Sequence, residues 1–136
     1  MDELTRGATA RTTIARWRDW SATGVEHLVL REEPTGVVAE AVLLAGAGDG
    51  AFAAHYRIAC DRRWRIRRVG VRLIGDDRRL EIAADGAGNW RDGDDHPLAH
   101  LQGAIDVDLS ASPFTNTLPI RRLNLKEGDA AEILAV

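Results

Sequence analysis

The chain has 136 residues, 45% of them hydrophobic and 29% charged, with a formal net charge of −3. That length makes one domain with a core of its own, since a chain of this size buries roughly two-thirds of its unfolded surface. A mildly acidic mixture of charges gives no general attraction to nucleic-acid phosphates, so no nucleic-acid partner is expected. Cys60 is the only cysteine, which excludes an intrachain disulfide and a cysteine-rich metal site. Of the eighteen basic residues only Lys126 is a lysine. With many Ala, Gly and Asp, that usage reflects GC-rich coding as readily as a function.

Residues 1–13 are polar and small, have no signal-peptide core, and read as a frayed extension. Only the segment before Trp17 has any helical character, and that is weak. The single domain is expected over 14–136. No stretch approaches the ~20 apolar residues that cross a bilayer as a helix, and the expected compartment is the cytoplasm. Val37–Ala45 is apolar on both parities apart from Glu40. It reads as a central strand covered on both faces, with a short helix as the alternative.

From Phe52 onward the period is two, as in half-buried strands. Phe52, Ala54, Tyr56, Ile58 and Cys60 share one face; Leu80, Ile82 and Ala84 share another; Ile105, Val107 and Leu109 form a third run. Between Trp64 and Leu73 the phase slips, which one inserted residue near Arg67–Arg68 would produce, so a β-bulge is predicted there. Gly- and Asp-rich turns at 46–50, 75–77, 85–88 and 93–95 separate these runs. The fold class is therefore all-β, a single antiparallel sheet forming an open barrel or a sandwich.

The chemistry-bearing residues are few. His27, His55, His96 and His100 show no metal-ligand spacing, and no metal or cofactor is expected. Asp106 and Asp108 share one face of the third run, either as ligand-binding carboxylates or as a solvated stripe. Cys60 reads as a buried thiol, and strand parity keeps it apart from His55. Arg62, Arg63, Arg65, Arg67, Arg68 and Arg72 form the densest basic cluster. It either meets an anionic head group or protects a strand from edge pairing.

One stretch is far more specific. Asp106-Val-Asp-Leu-Ser-Ala-Ser precedes Pro-Phe-Thr-Asn-Thr-Leu-Pro-Ile-Arg-Arg-Leu123, and this resembles the signature of the putative glycolipid-binding family of small bacterial proteins. The likeness extends to Trp17 with Gly24–Leu28, to Tyr56–Trp64 and to Asp85–Trp90, and so covers roughly residues 14–136. It implies a strongly curved antiparallel sheet, similar to periplasmic lipoprotein carriers and mycobacterial glycolipid-carrying lipoproteins. Family members continue for several tens of residues beyond Val136, so the last strands are expected to be missing, leaving an open edge and favouring a homodimer. Within the motif, Pro113 and Pro119 predict a fixed loop over 112–119, capped by Asn116 and Thr115 or Thr117. Arg121 and Arg122 are expected on a following strand, facing opposite ways. The inward one needs an acidic partner in Asp106 or Asp108, as a structural clamp or as an anion or sugar site.

The expected function is non-catalytic binding of a lipid or glycolipid in an apolar groove. Tyr56, Trp64 and Trp90 would form groove or rim surface; Asp106, Asp108, Asn116, Arg121 and Arg122 would supply polar contacts. The alternatives are an assembly module pairing through an exposed sheet face, and a small hydrolase or isomerase centred on Glu26–His27 or Asp106–Asp108.

Overall fold

A computed structural model describes residues 9–21 and 23–136. Seven strands form one antiparallel sheet in sequence order: β1 (Arg11–Arg18), β2 (Val25–Glu33), β3 (Gly36–Ala45), β4 (Phe52–Cys60), β5 (Ile66–Leu73), β6 (Arg79–Ala84) and β7 (Trp90–Asp92). Each strand pairs with its chain neighbour, so short turns suffice as connections. The sheet does not close into a barrel.

Alternation sorts the side chains onto two faces. Leu28, Ala41, Tyr56 and Val71 stand opposite one another across β2–β5 and point inward, as do Leu30, Ala39, Ile58, Val69 and Ile82 in the next row. The predicted bulge is present: Ala59 pairs with Arg68 and Cys60 with Ile66, leaving Arg67 as the extra residue. Its guanidinium donates to the Ala84 carbonyl at 3.0 Å. β3 departs from the expectation of cover on both faces, because Val42 and Leu44 point outward and are half exposed. β1 starts at Arg11, so a strand occupies the end of the stretch expected to fray and the segment expected to be weakly helical. Residues 1–8 lie outside the described residues.

The inner face is covered by the chain's own carboxyl-terminal third. Two 3-10 turns, Ala99–Leu101 and Pro113–Asn116, and one helix, α1 (Thr117–Arg122), are joined by extended backbone. Phe114, Leu118, Ala104 and Val107 from this layer enter the same buried cluster as the sheet. Full burial of Phe114 and Leu118 contributes about 1.5–3 kcal/mol each. Two expectations are corrected here. Ile105–Leu109 is not a ladder strand; it holds a single bridge, Asp106 to Ala135 in parallel. Arg121 and Arg122 lie on a helix, not a strand. Pro119 is compatible with that helix because it sits in the first turn, where the missing N–H has no intrahelical acceptor.

Candidate functional site

Within the sheet, the inner face buries one acidic side chain among apolar neighbours. Glu26 stands in the row Trp17–Glu26–Leu43–Ala54–Leu73 and is only 3% exposed. Its Oε1 accepts hydrogen bonds from the Tyr56 hydroxyl and, at 2.9 Å, from the Ser112 hydroxyl. Ser112 also accepts from the Phe114 N–H at 3.1 Å, so it caps the Pro113–Asn116 turn. Glu26 Oε2 is buried and, among the described residues, accepts no hydrogen bond. A carboxylate oxygen held dry without a donor costs about 1–3 kcal/mol or more. Burial, then the neighbouring Glu26, pushes the Tyr56 phenol far above its ordinary range, while Ser112 opposes that shift. Tyr56 is therefore a fixed donor. The surrounding apolar face is incompletely covered at this end: Trp17, Ala45 and Leu73 are only partly buried, and Phe52 is 41% exposed.

A second cluster lies towards the other end of the inner face, where Glu32 stands six residues along β2, about 20 Å away. Arg122 grips Asp106 with Nε to Oδ1 at 3.2 Å and Nη2 to Oδ2 at 2.7 Å, and Asp106 is 1% exposed. Arg121 Nη2 donates to Glu32 at 2.7 Å, and its guanidinium lies 4.6 Å from the centre of the Trp64 ring. Trp64 holds a left-handed backbone, φ 64°, which a large residue keeps only where packing fixes it.

The residues singled out in the sequence are thus divided between places. Tyr56 joins Glu26. Trp64, Asp106, Arg121 and Arg122 form the second cluster. Trp90 is a core residue whose indole N–H donates to the Ala104 carbonyl at 2.8 Å. Asp108 is exposed and accepts from the Thr115 hydroxyl at 3.2 Å; Asn116 is exposed on the turn. Neither proposed catalytic pair is assembled. Glu26 faces inward while His27 faces outward in the row with Arg16 and Val42, and Asp106 and Asp108 differ in burial. Cys60 is buried, and burial, then Asp61 and Asp106, pushes its thiol up to about 12. Among the described residues, no three His, Cys, Asp or Glu side chains gather as a metal site, and no helix is long and apolar enough to cross a membrane. Ser112 was missed in the sequence, and Glu26 was named there only with His27, as an enzyme centre. The available signal was an acidic residue on the parity of Leu28 and Leu30.

Fold and site together define a single-domain all-β protein: an open antiparallel meander whose inner face is roofed by its carboxyl-terminal segment. A family described as putative glycolipid-binding matches residues 14–136, and the chain belongs to that family. The crystal structure of a DUF1089 family protein from Pseudomonas aeruginosa, solved at 1.80 Å, is similar, with 39% sequence identity and a TM-score of 0.69. The match covers 88% of this chain and 64% of that one. No curated protein matches.

Proposed function

We propose that this chain binds a lipid or glycolipid, without turning it over, at the half-open Glu26 end of the inner face. The observation that carries the reading is Glu26 Oε2, a buried acceptor that no donor among the described residues reaches, inside a largely apolar surface. A sugar or glycerol hydroxyl is the kind of donor it lacks, and such a bond to a charged acceptor is worth about 1.5–3 kcal/mol. Trp17 stands opposite it on β1, and Phe52 and Leu73 continue the partly open inner face across β4 and β5, where an acyl chain gains about 0.8 kcal/mol per buried CH₂. Few polar groups within a mostly apolar lining is the usual character of a small-molecule site. The family description agrees with this reading.

In this reading Tyr56 and Ser112 fix the carboxylate. Trp64, Trp90 and the Asp106–Arg122 pair hold the roof, Asp108 and Asn116 lie exposed on it as candidate rim contacts, and Arg121 fastens its far end to Glu32 and Trp64. The test is a series of alkyl glucosides used below their micelle concentrations, with binding followed by calorimetry. Affinity rises with chain length, and Glu26→Gln weakens the preference for the glucoside over a headless alcohol of equal length. Affinity independent of both chain and head group would remove the proposal.

A further inference from the structure

We infer that the sheet face turned away from the core docks on an anionic membrane surface. The basis is a cross-strand row, Arg16–His27–Val42–His55–Arg72–Arg79, in which each residue stands directly opposite the next across six strands. The row contains no acid. Arg72 and Arg79 face each other, a like-charge pairing that disfavours the sheet, and among the described residues neither has a carboxylate within ion-pair reach. Arg31 and Arg68 stand on the same face in a parallel row. The row between these two, Val29–Glu40–Arg57–Gly70–Glu81, carries the central acids of this face, and Glu40 is already occupied by His55 at 3.2 Å. The chain as a whole carries −3, so this face concentrates positive charge against the overall balance.

Two further features select a bilayer. Ile14, Val42 and Leu44 are exposed among the arginines, at 64, 47 and 52%, which suits an interface that takes both charge and short apolar side chains. Gly70, between Arg57 and Glu81, leaves a hollow of about 780 Å³ whose charged lining is mixed, His55, Arg57, Arg72 and Arg79 with Glu81, Asp92 and Asp94; its arginines can turn guanidinium forks towards a phosphate head group lying over the face. A second copy packed through this face would set arginine row against arginine row. A single-stranded nucleic acid would want rings to stack on, and the outward strand positions carry no Trp, Tyr or Phe. The inference does not depend on the inner site.

The experiment is flotation of the full chain with vesicles of phosphatidylglycerol and phosphatidylcholine, against vesicles of phosphatidylcholine alone, at low and high salt. Arg72→Gln/Arg79→Gln is compared with Arg62→Gln/Arg63→Gln, which makes the same change in net charge in the β4–β5 turn. Removing the facing arginines relieves a repulsion, so the fold should persist; Arg57→Gln/Arg68→Gln is the second variant should it not. The chain is expected to float with the anionic vesicles only, and to be released by salt. The Arg72/Arg79 variant should bind about thirtyfold more weakly, at roughly fivefold per arginine, with the Arg62/Arg63 variant unchanged. Equal behaviour on both vesicles, equal loss in both variants, or tighter retention on a single-stranded polynucleotide would overturn the inference.

Discussion

Arg122 and Asp106 meet as a two-pronged ion pair, at 2.7 and 3.2 Å, where the roof closes over the sheet. The Asp106 carbonyl also accepts the Val136 N–H at 3.0 Å. One residue therefore fastens both α1 and the chain end. Its carboxylate is wholly buried and depends on its partner, because a buried charge left alone is far costlier than the pair is favourable.

Arg122→Met should accordingly destabilise the fold by about 3–5 kcal/mol, the range for stripping one partner from a buried pair. Urea unfolding checks it, and Asp106→Asn added to Arg122→Met should recover part of the loss. A loss below about 1 kcal/mol would mean that water reaches the carboxylate.

Tyr56→Phe removes a donor from Glu26 and leaves a second acceptor position unmet, at about 1–3 kcal/mol. Adding Glu26→Gln or Glu26→Leu should restore stability relative to Tyr56→Phe alone. A double-mutant cycle that shows no coupling would separate the two residues.

Alkaline pH should unfold the chain early. The Tyr56 phenol and the Cys60 thiol have raised values in the fold, chiefly through burial. A raised folded value favours the fold fully below the unfolded value and is lost as pH rises towards the folded one. Stability should therefore be flat through neutral pH and fall from about pH 9 upward, as Cys60 and then Tyr56 would ionise only in the unfolded chain. Denaturant midpoints against pH test this. Over the same range Cys60 should react with a thiol reagent only at the rate of opening.

Gly88 should not accept a side chain. It holds φ 95°, and a Cβ there would lie 2.9 Å from the Gly103 Cα, beside the bond in which the Gly103 N–H meets the Gly88 carbonyl at 2.8 Å. Gly88→Ala should lower the melting temperature by several degrees, the size of a cost of 1–2 kcal/mol in a domain of this length.

Much of the sheet was legible because its information is local. Alternation from Phe52 to Cys60 names the inner face of β4, and the slipped phase near Arg67 locates the bulge. β1 was hidden because its inward residues, Thr13, Ala15 and Trp17, are mostly small or polar, so the period barely registers. α1 was hidden behind Pro119, read as a loop signal although a first helical turn accepts it. The sites lay further out of reach. Glu26, Tyr56 and Ser112 are 30 and 86 residues apart in their two bonds, and the outward basic row draws on six strands. Only the register between strands assembles either. The expected pairing of Asp106 with an arginine of the motif could be named from charge alone, because a buried carboxylate needs a cation.

The central claim, a lipid or glycolipid seated at Glu26, is met most directly by native mass spectrometry of the purified chain before and after organic extraction. The expected result is a discrete added mass, removed by extraction, that fragments to a lipid and is reduced in Glu26→Gln. A bare chain that takes up no added lipid or glycolipid after extraction would contradict it.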